Sequence, residues 1–481
     1  MVRATDLLTY ESAVRDERRG DPMRVEMLGH ACLLCETEDT RILMDPWIAG
    51  PANFRSWWHF PAVTRDPAQL PPLDYIYLSH LHGDHFHDAT LAQLDRRPTV
   101  LVPRLYHTRM VRRLRDLGFS RVMELPHAKE VQLTRATRVT CVQMGRDSVL
   151  AVADSSASML NANDALQGAH PDIKLPLLRA LAERYGFDIV FLAFGTAGPF
   201  PKCYRIEDMS AKAMDPWIKE RSMLSNFLSG AKTIKAKTVV PFAGGFALLA
   251  DRLLWMNEAK TTPADALRLL REREPGIPGL EMNPGDIWDS REGLVRVHPV
   301  IDWTRRLEMI DQLRQAHTSE LKTIDAEEQH GPSDLPQLFE TRLAQNMRRF
   351  PLLRRRMNGS VLFVVVGQPG GEWEVDLRRP SNWLRPGDSG DWAIRLTIPS
   401  GLLAEVLTDP DGLETLGISY KLDLFFKAGA RAKEPLLDRL LYTPSPLWLL
   451  KTMLSPRFAE FVIRRRSEFS QILREKLTAR A

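Results

Sequence analysis

The stretch LSHLHGDHFHD, residues 78–88, sets four histidines and two aspartates side by side. The text leading into it, LDYIYLSH, is an apolar, aromatic-rich run that reads as a strand ending at His80, and HDATLAQL after it reads as a helix. The cluster therefore lies on a strand-to-helix loop at the carboxyl end of a strand, a usual place for chemistry in α/β sheets. Side chains two apart in extended chain share a face, so His80 and His82 can converge on one ion. Asp84 and His85, at the turn into the helix, can face a neighbouring one. With 12 histidines in 481 residues, composition alone yields an H-x-H-x-D-H hexad on the order of once in a few thousand such chains. His87 and Asp88 fall on the next turn and read as outer or solvated groups.

The rest of the composition narrows the class. A chain of this length with 44% hydrophobic residues buries large cores without disulfides. The net charge of +4 is spread over interspersed acids and bases, which argues against a nucleic-acid footprint. The first 25 residues are rich in Arg, Asp and Glu and read as no signal peptide. The longest apolar runs, such as VLFVVVG from Val361, are strand-length; no membrane span is expected, and the expected compartment is the cytoplasm. Cys32 and Cys35 have a redox-motif spacing but lie on a predicted strand, where residues three apart face opposite ways, so two packed thiols are expected.

From Met23 to about Gly245, ten short apolar runs alternate with helical text such as LYHTRMVRRLRDLGF and IKLPLLRALAERYGF. This is the grammar of sheets covered by helices. A polar helical stretch follows, and from Gly359 the runs SVLFVVVG, EWEVDLR, WAIRLTIP and ISYKLDLFF alternate with turns. The expected organisation is an α/β catalytic domain over 1–262, a helical extension or linker packing on it over 263–350, and a smaller C-terminal α+β domain over 351–481. The final helix, with Phe458, Phe461, Phe469, Ile472 and Leu473 on one face, is expected to dock on its own domain.

The hexad resembles the metallo-β-lactamase superfamily, and LGHACLLCETEDTRILMDPW, residues 28–47, looks like that family's opening hairpin. The resemblance implies an αββα sandwich, with Asp45 beneath the metal loop orienting a ligand. In DSVLAVADSSASMLNANDA, residues 147–165, it implies Asp164 as the carboxylate bridging two metals and leaves Asp154 in a turn. Two departures stand out. No histidine follows RVTCVQM, where Asp147 is the nearest substitute and His127 and His170 are displaced candidates; and Ala243 stands where the family's last histidine belongs. The aromatic insertion FRSWWHFP (54–61), the LNANDA turn and PFAGG look similar to the catalytic domain of CMP-N-acetylneuraminate hydroxylases. Those carry a Rieske centre, which needs Cys-x-His and Cys-x-x-His pairs, and this sequence has neither. The C-terminal part resembles the sterol-carrier fold.

The reading that follows is a non-haem diiron monooxygenase acting on a hydrophobic or carrier-linked small molecule, with electrons from a separate donor such as a ferredoxin. His80, His82, Asp84, His85, Asp147 and Asp164 are the expected metal ligands. His30, Asp45 and Asp84 are the expected catalytic or orienting groups, and Trp57, Trp58 and His59 the expected substrate walls. Histidine and carboxylate donors suit iron, with zinc or manganese as alternatives. The alternative function is a dinuclear hydrolase of a lactone, thioester or phosphodiester, in which the metals generate hydroxide. A binding protein with a decayed site is the third class, and a complete hexad speaks against it.

Overall fold

The computed structural model describes residues 20–168, 171–349, 359–379, 383–409, 411–434, 446–464 and 466. Ten of its strands fall on the ten apolar runs between Met23 and Gly245, and they divide between two sheets. The first sheet runs, in spatial order, Gly293–Val295, Ile287–Asp289, Arg24–Gly29, Cys32–Glu36, Arg41–Met44, Tyr75–Tyr77, Thr99–Pro103, Val122–Leu125. The second runs Thr238–Phe242, Ile189–Ala193, Ser158–Asn161, Asp147–Ala153, Arg138–Met144, Glu130–Gln132.

Apolar residues on both faces of these strands make three cores out of two sheets. Val25, Leu33, Ile42 and Tyr77 from the first sheet meet Val139, Leu150, Ile189 and Val240 from the second in an inner layer. The other face of the first sheet packs Leu43, Ile76 and Val100 on Leu91, Met110 and Leu114 of helices Asp88–Gln93 and Arg109–Asp116. The other face of the second packs Leu160, Val190 and Val239 on helices Pro171–Tyr185, Ile218–Ile234 and Pro263–Arg273. This is a four-layer αββα sandwich. Strand alternation also separates Cys32, in the outer core, from Cys35, in the inner one. All four cysteines are free and buried.

A third sheet, in the order Tyr204–Ile206, Asp423–Phe426, Ile394–Pro399, Ser360–Val366, Gly371–Asp376, Leu384–Pro386, forms the C-terminal unit. Two features of its surroundings differ from the sequence-based expectation. Strand Tyr204–Ile206 comes from the 1–262 segment yet pairs in parallel with Asp423–Phe426, and Ile287–Asp289 and Gly293–Val295, in the segment expected to be helical, extend the first sheet. The reason is that these strands pair over only three residues each and carry no periodicity long enough to read. The final helix is also placed differently. Phe458 and Phe461 of Pro456–Arg464 pack on Tyr106, and Arg457 pairs with Glu124 of the first sheet's edge strand, so this helix docks on the catalytic sandwich. Phe469, Ile472 and Leu473 lie outside the described residues.

Where the C-terminal unit meets the sandwich, Lys421 is buried and donates to Glu328 and to the Phe54 carbonyl. Removing one member of such a pair strands a buried charge. Lys421→Ala is expected to lower unfolding free energy in denaturant titration by about 3–5 kcal/mol, with much of the loss recovered in Lys421→Met combined with Glu328→Leu.

Candidate metal centre

The strand ends of both sheets converge on the histidine loop. Asp45 follows strand Arg41–Met44, His80 follows Tyr75–Tyr77, Asp147 begins Asp147–Ala153, and Asp164 follows Ser158–Asn161. The backbone there departs from ordinary strand geometry: His30 (φ 38°), Asp45 (φ 45°), Asn163 (φ 30°) and Ala243 (φ 53°) are all left-handed. Such conformations cost on the order of 1–3 kcal/mol each and concentrate at functional sites. They are held by hydrogen bonds: Ala243 N donates to the His30 carbonyl at 2.9 Å, and Asp45 N to that of Tyr77 at 2.8 Å.

Asp45 is wholly buried. Its Oδ1 accepts from Ser79 N at 2.7 Å, and its Oδ2 accepts from Ser79 Oγ at 2.7 Å and faces His85 Nδ1 at 3.0 Å. In the neutral, metal-binding form of His85, a proton on Nδ1 shared with Asp45 leaves Nε2 as the lone-pair nitrogen, and Nε2 has no hydrogen-bond partner. It points toward Asp84 Oδ2 at 3.2 Å and Asp164 Oδ2 at 3.7 Å. Asp84 Oδ2 also faces His30 Nε2 at 3.1 Å, while its Oδ1 accepts from Asn53 Nδ2 at 3.2 Å. On the other side, Ser79 Oγ meets His80 Nδ1 at 2.9 Å, and His80 Nε2 lies 2.8 Å from His82 Nδ1.

Two groups of three residues each present ligand atoms within 4.8 Å of one another: His30, Asp84 and His85, and His80, His82 and Asp164. The residues present fit two metal ions. Asp45, Asp84, Asp147 and Asp164 crowd into one buried volume, a concentration of negative charge that needs cations. Asp147 Oδ1 and Asp164 Oδ1, like His85 Nε2, are buried without a partner.

The protonation pattern is split in the same way. Burial, helped by the fields of His85 and His82, pushes the His80 imidazole well below its usual range. Burial also opposes charge on His85, but Asp84 and Asp45 outweigh it and hold that imidazole well above. Burial pushes the Asp147 carboxyl up to about 6 against the opposing field of His82.

The structure thus brings together His80, His82, Asp84, His85 and Asp164 from the sequence-based set, and adds His30 as a donor beside Asp84 and His85. Asp147 stands outside both groups of three, with Oδ1 3.7 Å from His80 Nδ1. His127 accepts from Gln143 N at 3.0 Å in a turn, Asp154 caps the turn at Ser156 and Ala157, and His170 lies outside the described residues. His87 caps helix Asp88–Gln93 through Thr90, and Asp88 pairs with Arg113.

The aromatic insertion splits by strand alternation. Trp57 stacks on Phe246 with ring centroids 3.5 Å apart and sits edge-on to His30 at 5.8 Å. Trp58 points the other way, among Ala247, Leu249 and Ile310 and against His317, so it does not face the metal groups. His59 lies on Trp47 with ring centroids 3.9 Å apart.

Sequence reasoning missed two further groups. Asn53 holds Asp84, and Glu414 from the C-terminal unit accepts from His82 Nε2 at 3.2 Å and Arg146 Nη1 at 2.6 Å. Burial opposes the Glu414 charge, but its bond to His82 and the fields of His82 and Arg146 hold its carboxyl down to about 2. No local signal marks Glu414, which is 332 residues from His82.

Residues 24–151 match the family model described as a beta-lactamase superfamily domain. This segment is a domain of the metallo-β-lactamase type, in keeping with the αββα sandwich. Among curated relatives, a "Putative Rieske 2Fe-2S iron-sulfur protein" of Mycobacterium tuberculosis is 32% identical over 259 residues, covering 50% of this chain and 48% of that protein. The cytidine monophosphate-N-acetylneuraminic acid hydroxylase of Mus musculus is 27% identical over 286 residues, covering 57% and 46% respectively. The chain spans about half the length of these curated relatives. Among solved structures, CmlA, a diiron β-hydroxylase from Streptomyces venezuelae, aligns with a TM-score of 0.38 at 19% identity, over 58% of this chain and 54% of that one. The superfamily domain and the paired donor groups together fit a site for two metal ions. Among the described residues, no helix is long and apolar enough to cross a membrane.

Burial, with the fields of His30 and His87, holds the His59 imidazole well below its usual range, so folding keeps it neutral while the unfolded chain protonates it below about pH 6.5. His59 therefore contributes stability above that pH which is lost as pH falls. In His59→Phe, the fall in unfolding free energy between about pH 7 and about pH 5 is expected to be shallower, by up to about 1 kcal/mol per pH unit.

Proposed function

We propose that the chain is a non-haem diiron monooxygenase on a metallo-β-lactamase fold. The observation that carries this is the composition of the two donor groups: each is two histidines and one carboxylate, His30, His85 and Asp84 in one and His80, His82 and Asp164 in the other. Nitrogen and oxygen donors in this ratio, with positions left open, suit iron that activates dioxygen, whereas thiolates would favour zinc or clusters. Ala243, at the place of the family's last histidine, leaves such a position. The hydroxylase relatives support the same reading.

When bound, the irons would supply reductive activation of dioxygen. The chain's own residues do the rest. Asp45 and Ser79 fix the tautomers of His85 and His80, and Asn53 turns Asp84 so that Oδ2 faces the donors. Beside His30 a small cavity of about 40 Å³ is lined chiefly by Phe60, Phe194, Phe242, Phe246 and Trp303, room for a small apolar group and in keeping with a hydrophobic or carrier-linked substrate. Lys260 and Arg306 also line it, and burial, against the field of Glu220, pushes the Lys260 amine well below its usual range. Electrons come from a donor outside these 481 residues, such as a ferredoxin, because the sequence holds neither Cys-x-His nor Cys-x-x-His.

Protein produced with iron and zinc both available should carry close to two irons per chain and consume dioxygen when given reduced ferredoxin, and His80→Ala should lose both properties. Two zincs per chain with no reductant-dependent oxygen uptake would instead assign the hydrolase chemistry and direct assays to lactones, thioesters and phosphodiesters.

A further inference from the structure

The two sheets leave one side of the donor cluster uncovered, and the C-terminal unit closes it. Helix Gly412–Ser419 is anchored at both ends on the sandwich. Asp411, at its start, pairs with Arg109. At its end, the Ile418 carbonyl accepts from Trp57 Nε1 at 3.0 Å and the Ser419 carbonyl from Ser56 Oγ at 2.5 Å. Tyr420, left-handed at φ 60°, ends the helix and donates through its hydroxyl to the Thr196 carbonyl at 3.3 Å. These four anchors fix where the middle of the helix sits, and the residue it presents there is Glu414.

His82 spans the gap between Glu414 and the cage. Its Nδ1 lies 2.8 Å from His80 Nε2, and its Nε2 lies 3.2 Å from Glu414 Oε1. A neutral imidazole has one N–H and one lone pair. With the carboxylate taking the N–H at Nε2, the lone pair at Nδ1 faces the space shared with His80 and Asp164. Asp45 stands in the same relation to His85, through the opposite ring nitrogen.

We propose that Glu414 is a positioning residue for His82, so that loading of the metal site and docking of the C-terminal helix on it favour one another. The inference rests on the reading of His82 as a metal donor. Carboxylate partners of ligating histidines fix tautomer and ring orientation, and losing one costs metal affinity. Linkage makes the effect reciprocal: if the docked helix strengthens metal binding by some factor, bound metal strengthens docking by the same factor. The Glu414–His82 contact is partly open to solvent, with side-chain exposure of 37% and 28%, and Arg146, the other partner of Glu414, is 80% exposed, so screening limits what these contacts add to stability by themselves.

The test uses the full chain and cobalt(II) as the probe, with chelator competition for affinity, visible bands for ligand geometry, and hydrogen exchange of residues 412–419. In the wild type, two cobalt ions should bind and slow exchange in the helix. Glu414→Ala should weaken one of the two sites by about 10- to 100-fold, shift its bands and abolish the metal-dependent slowing. Glu414→Gln, which keeps an acceptor oxygen, should fall between the two. Wild-type affinity and bands in Glu414→Ala would overturn the proposal, as would helix exchange in the wild type that ignores the metal, a measurement that needs no variant to fold. A wild-type chain that binds no cobalt would overturn both this proposal and the metal reading beneath it.

Discussion

Asp45 is the constraint on which the site depends. Its carboxylate, buried at the end of strand Arg41–Met44, accepts two hydrogen bonds from Ser79 and faces His85 Nδ1. Through Ser79 it fixes the first residue of the histidine loop, and through His85 it fixes the last, so the loop between them has little freedom. A carboxylate buried this deeply is costly unless hydrogen bonds replace its water, and here both oxygens have partners. The left-handed backbone at Asp45 is held by its N–H donating to the Tyr77 carbonyl at 2.8 Å, on the strand that leads into the same loop.

The second sheet is registered to this loop by a small polar link across the inner layer. Ser148 Oγ donates to the Ser79 carbonyl at 3.0 Å and meets Tyr77 Oη at 2.7 Å, and Asn163 Nδ2 donates to the Ser148 carbonyl at 2.6 Å. Asn163 precedes Asp164, so one chain of hydrogen bonds runs from the histidine loop to the carboxylate delivered by the other sheet. A sandwich held by apolar contacts alone would let the two donor groups slide, because hydrophobic packing is not directional. Buried polar links restore the direction that chemistry at two adjacent ions requires.

Much of this was legible in the sequence because it is local. The hexad fits within six residues, the ten apolar runs carry their own period, and the three-residue spacing of Cys32 and Cys35 on a strand already separates them onto two faces. What was not legible depends on contacts between distant segments. His30 was legible as an orienting group, but only the fold turns it onto Asp84 as a donor in the same group of three. Asn53 lies just before the aromatic insertion, with no pattern of its own. Glu414 looks like any acidic residue on a helix until the C-terminal unit is docked, and strand Tyr204–Ile206 is too short to announce a partner more than 200 residues away. Trp58 was read with Trp57 as a pair, yet neighbours on a strand face opposite ways.

The most direct test of the account is anomalous diffraction at the metal absorption edges from crystals of the metal-loaded chain. The account predicts two peaks, one between His30, Asp84 and His85 and one between His80, His82 and Asp164. A single peak, or peaks bound by other residues with His30 turned away, would contradict it.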